Sequence, residues 1–300
     1  MKNRPNLFIV GAPKSGTTAI YHYLNGHPDI FMSEVKEPYY FGNDIHYRMK
    51  RMSEEEYMLL FSKAPEEKYR GEASVTYLYS ESAPYEIKAF NPDSKIIIIL
   101  RDPVEMMYSL HSQLCFTAFE DEGDFKKALS LEGSRKLMKN IPDNCKIVDF
   151  LFYREFAKYY AQVKRYLEVF GSENVHVGIF DDFERDPDMF YREVLSFLGV
   201  NADPVPYAFA RINANKRIRR RWIFDMLSSG PVVAAARLLI PSRRLRQSIS
   251  LVISNWNISK EPRKPLEYSL ENDLRNEFKD EIEKLSLLLS RDMKLWGQER

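Results

Sequence analysis

The fold is decided by residues 6–24, which read NLFIVGAPKSGTTAIYHYL. Residues 7–10 form an apolar, partly β-branched run that is typical of a buried parallel strand. Residues 11–16 form a short loop with two glycines, and apolar residues return at helical spacing from Thr17 onward. A strand, a tight loop and a helix N-terminus in this order predict an anion cradle, because free backbone N–H groups and the positive end of the helix dipole point at one spot.

This loop nearly matches the nucleotide-binding pattern G-x-x-x-x-G-K-[ST], since Gly11 and Gly16 have the right separation. It departs from the pattern at Thr17, which stands where the lysine is expected, whereas the lysine lies inside the loop as Lys14. A kinase loop of this type uses its lysine on the β- and γ-phosphates. Lys14 precedes the turn instead, where it can reach an oxygen that bridges a single 5′-phosphate and the group to be transferred.

A second motif follows the most apolar strand candidate, which ends at Leu100. Arg101 comes next, and Pro103 suits the first turn of a helix with Asp102 as its N-cap. Arg101 therefore leaves the carboxyl end of a strand, the edge at which open parallel sheets bind ligands. Ser109 lies about two helical turns further on, on nearly the same face. An arginine at this position is also typical of a surface ion pair. The motif therefore indicates a ligand site only in combination with the loop at residues 11–16.

Together the two motifs resemble those of sulfotransferases that use 3′-phosphoadenosine 5′-phosphosulfate (PAPS). The segment PKSGTT at residues 13–18 resembles the 5′-phosphosulfate loop of that family, and the Arg-Asp-Pro motif with its serine resembles the 3′-phosphate pair. The resemblance implies a PAPS site without a metal. The implied donor-binding residues are Lys14, Ser15, Gly16, Thr17, Thr18, Arg101 and Ser109.

A third segment, SEVKEPYYFG at residues 33–42, resembles the Lys-Glu-x-x-Phe-Phe segment of heparan-sulfate sulfotransferases, whose glutamate is the general base. The match implies Glu37 as the base and Lys36 as a neighbour that holds charge near the donor. Sulfuryl transfer needs such a base within hydrogen-bond reach of the acceptor hydroxyl or amine. Among the five histidines, His111 is the reserve base.

Two further segments match the family more loosely. Residues 69–77 (YRGEASVTY) resemble a Gly-Glu-x-[Ser/Thr]-Pro-x-Tyr segment, but Ala73 stands where heparan-sulfate members have a lysine. One polar contact to a polysaccharide acceptor is thereby removed. Residues 213–221 (NANKRIRRR) resemble the basic loop that closes over the donor. The implied donor ligands there are Lys216, Arg217 and Arg219.

Charge and composition exclude several partners. The chain has 44 Lys and Arg against 43 Asp and Glu, a net charge of +1, so no global field favours nucleic acid or a membrane. Residues 211–246 nevertheless carry ten Lys and Arg against a single acid, which suits an anionic donor and leaves charge for an anionic acceptor. The two cysteines show neither metal-ligand spacing nor a disulfide framework.

The expected location is the cytoplasm. The N-terminal residues run directly into the first strand, which leaves no room for a signal peptide. The longest apolar run, residues 231–241, contains Arg237 and is too short to span a bilayer. Golgi members of the resembled family have an N-terminal anchor, and no such segment is expected here.

Alternating strands and helices predict an α/β fold with right-handed crossovers: a P-loop-like three-layer fold with a central parallel sheet flanked by helices. We expect one domain over residues 1–300, with a cap over the acceptor pocket at about 222–258, or alternatively a membrane-surface helix there. The predicted strands are 7–10, 30–31, 69–73, 96–100 and 175–180. The predicted helices are 17–25, 54–62, 83–90, 103–116, 125–132, 150–170, 187–198 and 266–290.

The function that the resemblance implies is transfer of a sulfuryl group from PAPS to a hydroxyl or amine of a small-molecule or glycan acceptor, with release of PAP. One alternative is a P-loop small-molecule kinase that uses ATP and magnesium, although the lysine after Gly16 is missing and Arg101 displaces Asp102 from the strand end. The other is a non-catalytic nucleotide-binding protein, which is disfavoured by the joint presence of Lys14, Glu37, Arg101 and Ser109. Neither the acceptor nor the oligomeric state follows from the sequence, because the fold does not set the substrate.

Overall fold

The computed structural model describes residues 4–64, 68–202, 263–293 and 296, together with the backbone of 217–218 and 258–259. Within them a five-stranded sheet has the order β2-β3-β1-β4-β5, and every neighbouring pair is parallel. The predicted α/β fold class is confirmed. The strands are β1 (Leu7–Gly11), β2 (Ile30–Met32), β3 (Tyr69–Ala73), β4 (Lys95–Leu100) and β5 (Val175–Ile179).

Helices connect these strands and cover both faces of the sheet. They are α1 (Thr17–Leu24), α2 (Glu54–Leu59), α3 (Ala83–Phe90), α4 (Pro103–Phe116), α5 (Phe125–Ser130), α6 (Glu132–Lys136), α7 (Tyr153–Ala157), α8 (Tyr159–Phe170), α9 (Phe180–Arg185), α10 (Pro187–Leu198) and α11 (Tyr268–Leu288). Among the residues described, no helix is long and apolar enough to cross a membrane.

Each face of the sheet has its own core, because side chains alternate along a strand. Phe8 and Val10 of β1 belong to one buried cluster, which includes side chains of α4, α8 and α11. Leu7 and Ile9 belong to the other, which includes side chains of α1 and α10. The result is three layers with β1 in the middle of the sheet. Because the chain passes from one side of β1 to the other between β3 and β4, a ligand crevice is expected at the carboxyl ends of these strands.

The prediction of one continuous helix over 150–170 is wrong. The chain forms a 3₁₀ turn at Val148–Leu151, then α7, and then α8 after a non-helical Lys158 (φ −81°, ψ 75°). The Gln162 side chain donates to the carbonyls of Glu155 and Phe156, at 2.9 and 3.4 Å, and so replaces backbone bonds that the break removes.

Other boundaries differ from the prediction by one to three residues, such as the helix predicted over 54–62, which ends at Leu59. The helix predicted over 125–132 ends at Ser130, and α6 follows it as a separate short helix. The strand predicted to end at Phe180 ends at Ile179, and Phe180 begins α9, which was not predicted as a helix.

The chain divides into two units, residues 1–212 with 266–300 and residues 213–265. In the second unit, β6 (Arg217–Ile218) pairs antiparallel with β7 (Ile258–Ser259). The cap expected at 222–258 lies outside the described residues except for Ile258, and it stays a prediction, as does a single functional domain over the whole chain.

Candidate active site

The loop after β1 leads into α1 through Gly16, which has φ +83°. Glycine suits this left-handed conformation, and an added Cβ would also lie 3.1 Å from the Phe180 ring. Helix α1 has no side-chain cap at its N-terminus. In the described part of the chain, the backbone N–H groups of residues 15–18 donate to no protein group. These donors and the positive end of the helix dipole lie at the place where the sequence predicts an anion cradle.

Lys14 lies within this loop at φ +62°. Its Nζ donates to Oε1 of Gln113 on α4, at 3.2 Å. Gln113 stands four residues after the buried Ser109, so the two side chains lie on the same face of α4. The lysine is therefore directed toward the helix that also carries the predicted serine.

Arg101 follows β4 and lies against the same loop. Its Nη1 donates to the carbonyl oxygen of Lys14 at 3.2 Å, and its Nη2 donates to Oε2 of Glu105 at 3.4 Å. The guanidinium also lies over the ring of Phe180, 4.7 Å from the centroid. About one fifth of the side chain is exposed, so a cation at this edge is both fixed by the protein and accessible to an anion.

Asp102 is the N-cap of α4, as predicted. Its Oδ1 accepts from the N–H groups of Val104 and Glu105 at 2.9 and 3.2 Å. Its Oδ2 accepts from Nη1 of the buried Arg275 on α11 at 3.0 Å. Both oxygens are thus used to hold α4 and α11, and this carboxylate is not positioned as a magnesium ligand.

Glu37 lies beside the end of β3, where its N–H donates to the carbonyl of Ala73 at 2.9 Å. Nζ of Lys36 donates to Oε1 at 2.6 Å, and the Tyr39 hydroxyl donates to Oε2. About one third of the Glu37 side chain is exposed. Burial, and then the charge of Glu37, hold the pKa of Tyr39 well above its usual value, so this phenol stays a donor. Glu37 is an oriented carboxylate that solvent can reach.

A second carboxylate, Glu72, lies behind this segment and is fully buried at the end of β3. It accepts from Ser74 Oγ at 2.7 Å, from Tyr57 Oη at 2.8 Å and from Tyr77 Oη at 3.0 Å. Burial raises the pKa of Glu72 to about 7, and the three hydroxyl donors oppose this rise. No atom of Glu72 is exposed to solvent, so it cannot be the group that meets a substrate.

The loop after β1, Arg101 after β4 and Glu37 beside β3 all lie at the carboxyl edge of three adjacent strands. The sulfotransferase domain family matches residues 4–286 of the chain. The chain belongs to the sulfotransferase family.

Several sulfotransferases are similar to this chain over different extents. A sulfotransferase from Alicyclobacillus acidocaldarius has a crystal structure with a TM-score of 0.74 and 29% identity, covering 98% of this chain and 99% of that one. Carbohydrate sulfotransferase 15 of Mus musculus is 31% identical over 147 residues, or 35% of this chain and 26% of that protein. Heparan sulfate glucosamine 3-O-sulfotransferase 3A1 of Mus musculus is 30% identical over 112 residues, or 37% and 27%. The chain spans about a quarter of the length of these two curated relatives.

His111 lies in a different environment from Glu37. Its ring is buried beside Phe125, and its Nε2 lies 2.8 Å from the carbonyl oxygen of Glu122. Burial lowers the pKa of His111. The Nε2 atom donates to this backbone carbonyl and the ring is buried, whereas solvent reaches the Glu37 carboxylate.

The predicted basic ligands fall largely beyond what the structure describes. Lys216 and Arg219 lie outside the described residues, and Arg217 is described only by its backbone in β6. Among the described residues, no group of three or more His, Cys, Asp or Glu could hold a metal ion.

Sequence reasoning missed three residues of this site: Gln113, Tyr39 and Phe180. Gln113 could have been found, because its spacing of four from Ser109 places it on the same face of α4. Tyr39 lies inside the segment that was matched, but nothing in the pattern indicates that its hydroxyl returns to Glu37. Phe180 was assigned to a strand, which hid its place under the guanidinium of Arg101.

Proposed function

We propose that this protein transfers a sulfuryl group from PAPS to a hydroxyl or amine of a small-molecule or glycan acceptor and releases PAP. One observation carries the proposal: a loop lysine and a strand-end arginine share one anion cradle, and an oriented carboxylate lies at the next strand end. A cradle with two cations fits a donor with phosphate groups, and the carboxylate supplies a base for the acceptor.

The donor is assigned to the cradle by charge. The N–H groups of residues 15–18 and the ammonium of Lys14 would hold the 5′-phosphosulfate. Arg101 and Ser109 would hold the 3′-phosphate, for which a guanidinium is well suited. For Lys216, Arg217 and Arg219 the assignment as donor ligands rests on the sequence and stays a prediction.

The chemical step is an in-line displacement at sulfur. The acceptor oxygen or nitrogen forms a bond to sulfur while the bond from sulfur to the bridging oxygen of the 5′-phosphate breaks. Glu37 takes the acceptor proton. The electron pair of the broken bond remains on the bridging oxygen of PAP, where the charge of Lys14 stabilises it.

A kinase that uses ATP and magnesium is disfavoured by two observations. The oxygens of Asp102 are engaged by α4 and by Arg275, and the residue after Gly16 is a threonine. A binding protein without chemistry would have no need of a carboxylate held between Lys36 and Tyr39.

We also propose a cytoplasmic location and no nucleic-acid partner. Cys115 and Cys145 form no disulfide with each other, as is usual for cysteines in a reducing compartment. Burial raises the pKa of Cys145 to about 11, so that thiol stays protonated. The near-zero net charge gives no long-range attraction to nucleic acid.

The proposed activity is tested with PAPS carrying ³⁵S in the sulfuryl group and a panel of alcohols, phenols, sugars and amines. We expect the label to appear in one class of product, with one PAP released for each sulfate transferred. A parallel incubation with γ-³²P-ATP and magnesium tests the kinase. Phosphorylated product from ATP, with no labelled sulfate ester or sulfamate, would contradict the proposal.

The replacement Arg101→Ala is expected to remove most of the thermal stabilisation that PAP gives to the wild-type protein. Ligand at 100 times its Kd stabilises a protein by about 2.7 kcal/mol, and the guanidinium is the assigned partner of the 3′-phosphate. The measurement is the Tm with and without PAP, in the absence of magnesium. Arg192→Ala is the control, since Arg192 pairs with Asp188 on the exposed surface of α10. An equal shift in Arg101→Ala and wild type would remove Arg101 from the donor site.

A further inference from the structure

The segment that carries Glu37 is fixed to the end of β3 at every second residue. Three of its N–H groups, from residues 37, 39 and 41, donate to acceptors that lie between residues 73 and 77. The pairs are Glu37 N to Ala73 O at 2.9 Å, Tyr39 N to Ser74 Oγ at 3.2 Å, and Phe41 N to Tyr77 Oη at 3.1 Å. Two of these three acceptors are side-chain hydroxyls. The direction of a hydroxyl's lone pairs depends on which group accepts its proton.

The buried carboxylate of Glu72 sets that direction. Ser74 Oγ donates its proton to Oε2 of Glu72 at 2.7 Å, and Tyr77 Oη donates its proton to Oε1 at 3.0 Å. A hydroxyl has one proton and two lone pairs. Once the proton is given to Glu72, only lone pairs face the backbone N–H groups of the segment. A single carboxylate therefore orients both hydroxyl acceptors.

The backbone conformation that these hydrogen bonds hold is unfavourable in free energy. Glu37 has φ +61° and Tyr39 has φ +52°, and non-glycine residues adopt this left-handed region only when the surroundings hold them there. The Tyr39 hydroxyl then returns to Oε2 of Glu37. Loosening the backbone of Tyr39 would thus release both the strained turn and the hydrogen bond that orients the Glu37 carboxylate.

We propose that Glu72 is a positioning residue for Glu37, acting through Ser74 and Tyr77 on the backbone of residues 37–41. This inference rests on the proposed function, because it takes Glu37 as the base of sulfuryl transfer. Glu72 itself touches neither donor nor acceptor. Its effect is on the placement of the base, and small displacements of a reacting group lower rates steeply.

The test begins with Glu72→Gln, which keeps the shape of the side chain. The amide oxygen can still accept from Tyr57 and Tyr77, but the amide nitrogen then faces Ser74 and cannot accept its proton. We expect kcat to fall about 10-fold or more, with KM for the acceptor and PAP affinity within about 2-fold of wild type. Hydrogen exchange, followed by mass spectrometry, should become faster in residues 37–41 and not in the loop after β1.

Tyr77→Phe tests the same inference by removing one of the two hydroxyls while Glu72 itself is unchanged. Its matched control is Tyr153→Phe, because Tyr153 is also fully buried and donates to another buried carboxylate, Glu120, at 2.8 Å. Tyr77→Phe should lower kcat and speed exchange in residues 37–41, whereas Tyr153→Phe should do neither.

Three results would overturn the inference: wild-type kcat in both Glu72→Gln and Tyr77→Phe, equal losses in Tyr77→Phe and Tyr153→Phe, or a loss of PAP affinity as large as the loss of kcat. Each of these leaves the sulfotransferase activity itself standing. Failure of the wild-type protein to transfer ³⁵S from PAPS contradicts the proposed function instead, so the two failures are distinguishable.

Discussion

Replacement of Glu37 with glutamine is expected to lower kcat by roughly 10²–10⁴-fold, the usual contribution of a positioned general base. Glutamine keeps the size of the side chain and its contact with the Tyr39 hydroxyl, but it cannot take the acceptor proton. Steady-state transfer of ³⁵S from PAPS measures the rate, and calorimetry with PAP checks that the donor site is unchanged.

The control for this variant is His111→Ala, which removes the reserve base. The His111 ring is buried and lies 2.8 Å from the carbonyl oxygen of Glu122, so His111→Ala is expected to keep its pH profile even if its stability falls. An active Glu37→Gln together with an inactive but folded His111→Ala would assign the base to the histidine.

The replacement Lys14→Ala is expected to lower kcat by on the order of 10²-fold or more, with a smaller effect on the affinity for PAPS. Negative charge builds on the bridging oxygen of PAP as the bond to sulfur breaks, so the ammonium interacts more strongly with the transition state than with the ground state. The variant is compared with wild type by single-turnover kinetics, which separate the chemical step from binding.

Lys63→Ala is a suitable control for Lys14→Ala, since Lys63 forms an exposed ion pair with Glu34. Its kcat should match that of wild type. A Lys14→Ala variant with weaker donor binding and unchanged kcat would show that the lysine serves to hold the donor rather than to assist departure of PAP.

The position of Lys14 and Arg101 at one edge of the sheet could be predicted because it follows from sheet geometry. Lys14 and Arg101 each come directly after an apolar run, and the carboxyl ends of parallel strands meet at one edge. Local sequence signals also predicted where two helices begin. Helix α4 begins at Pro103 after the Asp102 cap, and α10 begins at Pro187.

The rest of the site depends on contacts between residues far apart in the chain. Lys14 contacts Gln113, and Arg101 contacts Phe180, only when β1, β4 and β5 are aligned in the sheet. No local sequence pattern predicts these contacts. At the interruption between α7 and α8, the N–H of Tyr160 donates to Oε1 of Glu281 on α11 at 2.6 Å, which is another contact between residues far apart in the chain.

The role of Glu72 was beyond sequence reasoning for a different reason. A glutamate at the end of a strand normally indicates an exposed charge, since a buried carboxylate is costly unless it is paired or hydrogen-bonded. Three hydroxyl donors meet that requirement here, and they come from residues 57, 74 and 77. Only the fold brings them to one point.

The central claim is that the cradle at α1 and Arg101 forms a site for an adenosine nucleotide with a 3′-phosphate. Calorimetric titration of the wild-type protein with PAP, with 5′-AMP, and with ATP plus magnesium tests it without an acceptor. The account predicts tight binding of PAP without magnesium, and binding of 5′-AMP at least about 10-fold weaker, because a charge-assisted hydrogen bond is worth about 1.5–3 kcal/mol. Equal affinity for PAP and 5′-AMP, or tighter binding of ATP that requires magnesium, would contradict the account.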